Sequence, residues 1–158
     1  MKIGVVFPTR FDNQGEFLAD TRAMETAGVD SIWLHEQDDG GLEILLLAGM
    51  AAVTSQLRLG LIPPSPSPAG GGRRGGGLDK RYLATLQLLS RNRVIESSTE
   101  SWQRVDVPAD RDAWAAILER AERDGAHGVL VPLDPRLLDI LRHPDDAIDR
   151  PDLILAQG

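Results

Sequence analysis

The sequence predicts an α/β fold made of parallel βα units, with about six strands. Short apolar or β-branched runs alternate with segments of helical periodicity along the chain. In addition, ETAGVDSIW (25–33) and ERDGAHGVL (122–130) share one pattern: a helix end, a glycine, a short turn and a strand. Repeated alternation of this kind favours parallel pairing. We therefore expect a single α/β domain over residues 1–158.

The first half of the chain contains three predicted strands and two predicted helices. The first strand, KIGVVFPT, is a β-branched run closed by a proline. The helix after it places Phe17, Thr21 and Met24 along one seam and ends before Gly28, which suits a C-cap. The next helix is apolar over most of its surface, as helices packed on a sheet can be. The predicted strands are 2–9, 31–35 and 57–62, and the helices are 16–27 and 43–55.

The second half continues the same alternation. Its first helix places Tyr82, Leu86 and Leu89 on one apolar face. Its second helix is the clearest in the chain, with apolar residues at i, i+3, i+4 and i+7 counted from Trp114. A shorter helix begins at Pro135, a residue suited to a first turn. The predicted helices are 78–92, 110–125 and 135–141, and the predicted strands are 93–95, 128–133 and 153–156.

One segment, PPSPSPAGGGRRGGG (63–77), is too rich in proline and glycine for a helix or an inner strand. It is interpreted as a flexible surface loop. The alternative is a lid whose arginines, Arg73 and Arg74, meet an anion.

Composition excludes several classes of function. The formal net charge of −7 argues against nucleic-acid binding, which needs a basic surface. There is no cysteine, so disulfides, thiolate metal sites and thiol nucleophiles are excluded. No apolar run approaches the roughly 18 residues of a membrane span, and MKIGVVFPTR is too short for a signal peptide. We expect no membrane association and a cytoplasmic location.

Three stretches together resemble the bacterial-luciferase-like, flavin-dependent oxidoreductases. They are KIGVVFPT (2–9), DSIWLHEQDDGGLEILLLAGMAAVTSQLRLG (30–60) and LATLQLLSRNRV (83–94). The family typically has a D-S-V-W strand that ends in an acid-histidine pair, followed by a helix closing A-A-V-T-S and then I-R-L-G. The segments 125–144 and 149–158 are similar to the late part of such enzymes.

The resemblance implies a TIM barrel, which normally has eight βα units in about 250 residues. This chain is shorter, so we expect a shortened TIM-barrel-like fold without two middle units and without the last helix. Residues 96–109 would be the junction that replaces the missing units. The sheet would close with fewer strands, or stay open with edges that need covering.

The same resemblance implies a flavin-dependent oxidoreductase or monooxygenase that uses FMN or a deazaflavin and a small-molecule substrate. Two alternatives stay open: a flavin-binding protein without turnover, and a structural or regulatory remnant that pairs with itself or a full-length relative. Because lost neighbours would expose strand edges and apolar faces, we expect a homo-oligomer, most simply a dimer. Its interface would include 151–158 or the fourth strand.

The candidate site follows the second strand, in WLHEQDDGG (33–41). Gln37 stands where the family usually has histidine, and His35, two positions earlier, would point the same way along a strand. Imidazole exchanges protons near pH 7, so His35 and Gln37 are the catalytic candidates, with a purely structural histidine as the alternative. No metal is assigned to Asp38 and Asp39. The candidate cofactor-binding residues are Thr9, Glu36, Ile62, Pro63, Ser97 and Ser98.

The bond between Ile62 and Pro63 is also a candidate cis peptide. The resemblance implies a bulge with a cis bond just after the third strand, and cis bonds are least costly before proline.

Overall fold

A computed structural model describes residues 1–36, 42–63, 80–95 and 101–142 of the chain. The strands are β1 (Lys2–Phe7), β2 (Ser31–His35), β3 (Arg58–Ile62), β4 (Val94–Ile95), β5 (Trp102–Arg104) and β6 (Gly128–Pro132). The helices are α1 (Gln14–Thr26), α2 (Leu42–Val53), α3 (Lys80–Leu89), α4 (Arg111–Arg123) and α5 (Pro135–Leu141).

All six strands form one parallel sheet in the order β4-β3-β2-β1-β6-β5. The sheet is curled. Strands β2 and β5 are separated by two others, about 14 Å in a flat sheet, yet the rings of Trp33 and Trp102 lie 5.3 Å apart on the concave face. The predicted α/β class and the shortened parallel βα fold are confirmed, with the curled sheet forming half a barrel.

The six described strands are not the six predicted ones. Strand β5 falls inside the segment 96–109 that was predicted to be a junction. The predicted strand 153–156 lies outside the described residues. The third helix also ends earlier than predicted, at Leu89, because Arg91 and Asn92 adopt left-handed φ angles of 56° and 60°. Such angles cannot continue a right-handed helix.

The convex face of the sheet carries the main core. Val5, Ile32 and Val131 are fully buried beneath the helices, as alternation along the strands predicts. The predicted seam of α1 packs against them, and Phe17 and Met24 are buried. On α3 the predicted apolar face was wrong in part, because only Leu86 is buried. Tyr82 and Leu89 are 56% and 64% exposed, because no described strand lies beyond β4 on that side of the sheet.

The concave face is filled by two tryptophans that lie over glycines. A Cβ on Gly60 would come within 2.3 Å of the Trp33 ring, and one on Gly128 within 2.4 Å of the Trp102 ring. Trp33 is fully buried and donates its indole N–H to Ser31 Oγ at 2.9 Å. The curl of the sheet is therefore packed from inside, up to the level of these rings.

A polar cluster fixes the amino-terminal edge of the sheet. Glu25 Oε1 accepts hydrogen bonds from the backbone N–H groups of Ser55, Gln56 and Leu57 at 2.7–3.0 Å. Arg93 donates to the carbonyl oxygens of Ala51, Thr54, Leu57 and Ser90 and to Thr54 Oγ1. Together they hold the turn between α2 and β3 against the start of β4. AAVTSQLRLG and SRNRV, which carry part of the resemblance, are thus largely structural here.

Candidate functional site

The carboxyl ends of the parallel strands meet at one edge of the sheet, where sites in such folds usually lie. On the concave side this edge forms a cleft of about 390 Å³, here called the mouth cleft. Its wall is apolar and its rim is charged. It is lined by Val6, His35, Arg104, Val105, Asp106, Leu130 and Pro132.

A second cleft of about 370 Å³ opens beside the first strand, and is here called the β1 cleft. Pro8 supplies exposed apolar surface, whereas Phe7 is buried and contributes little, and Thr9 and Arg10 supply polar groups. His35 lines this cleft too. The imidazole therefore stands between the two clefts and reaches both.

His35 owes this place to the register of the sheet. It is the last residue of β2, pairs with Ile62, and lies on the same concave face as Trp33 two residues earlier. The side chain is exposed, yet partial desolvation of the imidazole, and then the positive charge of Arg104, lower the pKa of His35 below its ordinary value. The ring is thus mostly uncharged near pH 7. An uncharged imidazole can accept a proton or a hydrogen bond.

The predicted cofactor residues separate into different places. Thr9 lines the β1 cleft. Ile62 is buried beside Trp33 on the concave face, beneath the rim. Glu36 lines neither cleft, and its backbone N–H donates to the Ile62 carbonyl at 2.9 Å. Pro63 is exposed and follows a trans bond, so the candidate cis bond was wrong. The remaining predicted residues, Gln37, Ser97 and Ser98, lie outside the described part of the chain.

Sequence reasoning missed the charged groups that surround His35. Arg104 is the last residue of β5, a strand that was not predicted, and Asp106 comes two residues later. Arg10 lies in the loop after β1. The available signal was alternation in WQRVD (102–106), which puts tryptophan, arginine and aspartate on one face. Three residues of strand are too short for that pattern to stand out.

Two absences hold for the residues that the structure describes. They contain no group of three or more His, Cys, Asp or Glu side chains placed to hold a metal ion. None of their helices is long and apolar enough to cross a membrane.

No protein-family model, curated protein or solved structure matches this chain. The resemblance to the luciferase-like family therefore stays a prediction, and the clefts around His35 are the observations from which a function is argued.

Proposed function

We propose that this chain is a compact flavin-dependent oxidoreductase of the monooxygenase type, with FMN or a deazaflavin bound in the mouth cleft. The observation that carries the proposal is the position of His35. Its imidazole has a lowered pKa. Together with Arg104, it lines the mouth cleft at the carboxyl ends of the parallel strands. Perturbed titratable groups in a cleft favour a functional site.

The residues of the mouth cleft suit a flavin ring. Val6, Val105, Leu130 and Pro132 give it an apolar wall, and its volume falls in the usual range for ligand pockets, about 300–1,000 Å³. Next to this wall, the buried Trp102 indole N–H has no hydrogen-bond partner among the described residues. An unsatisfied buried donor is costly, and a ligand acceptor would satisfy it.

Each residue has a defined part in the proposed reaction. When bound, the flavin supplies the electron transfer and oxygen chemistry. The apolar wall excludes water from one side of the cleft. Arg104 would stabilise negative charge at a bound cofactor, and His35 would accept a proton from the substrate. Asp106 lies in the same cleft.

Titration with FMN tests the proposal directly. Trp33 and Trp102 lie on the concave face next to the cleft, so flavin binding should quench tryptophan fluorescence. We expect saturable quenching that weakens in Arg104→Met and persists in Arg22→Met, a matched control on the exposed surface of α1. Absence of quenching at millimolar FMN and deazaflavin would overturn the proposal. Binding without turnover of reduced flavin would favour the non-catalytic flavin-binding alternative.

A second candidate function is self-association, and the surface of α3 favours it. Tyr82, Leu88 and Leu89 are 56%, 79% and 64% exposed on a single helix beside β4, the last described strand on that side of the sheet. Adjacent exposed apolar side chains mark interaction surfaces. The proposed dimer would cover this surface. A cytoplasmic location stays part of the proposal.

A further inference from the structure

The lining of the β1 cleft differs in charge from the chain as a whole. Its lining among the described residues is Phe7, Pro8, Thr9, Arg10 and His35, which include an arginine and no carboxylate, although the chain carries a net charge of −7. The mouth cleft, by contrast, contains both Arg104 and Asp106. Among the described residues, the Arg10 guanidinium has no hydrogen-bond or ion-pair partner. An unpaired cation beside apolar surface suits an anion with an apolar body.

The loop that carries Arg10 is braced. Phe11, the next residue, stacks on Phe17 at 4.3 Å, and Phe17 meets Phe7 edge-on at 5.6 Å. Asn13 ends the loop by accepting hydrogen bonds from Gly15 N and Glu16 N as the N-cap of α1. Aromatic contacts and a cap on both sides restrict the backbone at Arg10. A preorganised loop loses less entropy when it binds a ligand.

We propose that the β1 cleft is the substrate subsite and binds a small apolar carboxylate. Its carboxylate pairs with Arg10, and its apolar body lies against Pro8 next to His35. Arginine binds carboxylates through two parallel N–H groups, which would also orient the ligand. The role as a substrate rests on the flavin function proposed above. The binding itself does not, because it needs no cofactor.

Phenylacetate is a suitable probe, with the neutral phenylacetamide as its matched partner. Binding is followed without flavin by calorimetry and by the NMR signals of the His35 imidazole, which report contact at this cleft. We expect phenylacetate to bind at least about ten-fold more tightly than the amide. Arg10→Met should remove that preference, and Arg22→Met should keep it, because Arg22 lies on the exposed surface of α1.

Two results would overturn the inference. The first is equal affinity for the acid and the amide, or phenylacetate binding unchanged in Arg10→Met. The second concerns the other source of an anion, the phosphate of FMN. If Arg10→Met weakens FMN but not riboflavin, while phenylacetate binding is unchanged, Arg10 serves the cofactor phosphate. A failed FMN titration with intact phenylacetate selectivity would instead remove the flavin function and leave this site in place.

Discussion

The protonation state of His35 follows from its immediate surroundings. His35 is exposed at the end of β2, but its ring is still partly desolvated and lies near the Arg104 guanidinium, and both effects favour the uncharged form. The net direction is a lowered pKa, which prepares His35 to accept a proton at neutral pH.

If His35 is the proton acceptor, His35→Asn should lower flavin-dependent turnover by about 10²–10⁴-fold while flavin binding persists. Asparagine keeps a polar group there and cannot take up a proton. His127→Asn is the control, because His127 is exposed just before β6. Steady-state kinetics and flavin titration measure the two effects separately. Undiminished turnover in His35→Asn would return His35 to a structural role.

The pKa of His35 should lie below the ordinary value of 6.5 in an NMR titration. Because the unfolded chain then binds more protons than the folded one, this histidine reduces stability as pH falls below about 6.5. Turnover that needs the uncharged ring should fall in the same direction. Arg104→Met should raise the pKa, yet leave it below 6.5, since partial burial is the larger cause. An unchanged pKa in that variant would contradict the contribution of Arg104.

Glu25 and Arg93, which line neither the mouth cleft nor the β1 cleft, hold the turn between α2 and β3 against the start of β4. Partial burial opposes ionisation of Glu25, but hydrogen bonds from the N–H groups of Gln56, Leu57 and Ser55 outweigh it and lower the pKa of the carboxyl. Its contribution to stability is therefore present above about pH 4.5 and is lost as pH falls through the lowered pKa. Arg93 completes the cluster by capping the end of α2.

Arg93→Met should lower the free energy of unfolding by about 1.5–3 kcal/mol, because several carbonyl oxygens lose a charged donor. Methionine retains much of the aliphatic volume, so packing changes little. The control is again Arg22→Met, which we expect to stay within about 0.5 kcal/mol of the parent. Urea denaturation measures both. Equal midpoints for the two variants would show that the cluster is dispensable.

Two glycine-to-alanine substitutions, which should change stability in opposite directions, test the packing of the concave face. Gly60→Ala places a methyl group 2.3 Å from the Trp33 ring and should cost about 1–3 kcal/mol. Gly49→Ala lies inside α2, where the nearest atom is 3.8 Å away, and should stabilise by about 0.5–1 kcal/mol. Thermal unfolding followed by near-UV circular dichroism reports stability and tryptophan packing together. Stabilisation by both substitutions would mean that Trp33 moves aside at little cost.

In the described part of the chain, the sheet ends at β4 and β5. Exposed apolar side chains lie on α3 and also on α2, where Leu42 and Leu45 are 51% and 70% exposed. Edge strands β4 and β5 contain only two and three residues, and short edges limit pairing with other chains. Six residues, 96–101, link them, so the edges lie within about 25 Å of each other. Self-association is therefore better supported by the exposed side chains of α3 than by strand pairing.

A dimer that covers α3 should dissociate when charge is introduced there. Leu88→Lys combined with Leu89→Lys places two ammonium groups on the surface, close to Arg91. Sedimentation at micromolar concentration should then show a monomer of 17.2 kDa, whereas the parent should sediment as a dimer, whose interface we expect to bury more than about 1,000 Å². Ala116→Lys on the exposed side of α4 is the control. A parent protein that is itself a soluble monomer would contradict self-association.

Local sequence patterns were sufficient to predict a helix or strand where a long periodic segment has clear boundaries. The helices α1, α2, α4 and α5 and the strands β1, β2, β3 and β6 agree with their predicted ranges within a few residues. Periodicity and caps act within one segment, so they are legible without tertiary contacts. Strand β5 and the early end of α3 were missed because three residues give no period and a left-handed turn at Arg91 and Asn92 has no strong signature.

The amino-acid pattern alone established parallel βα alternation, the residues beneath the helices, and His35 at a strand end. Those properties depend on the order of residues along one element. The tertiary structure alone determined which other charged side chains lie near His35. Arg104 and Asp106 reach His35 because the sheet curls around Trp33 and Trp102, which brings β5 opposite β2. Such proximity depends on strand order and sheet curvature. Both arise from packing across the whole chain, so they cannot be predicted from any single position of the sequence.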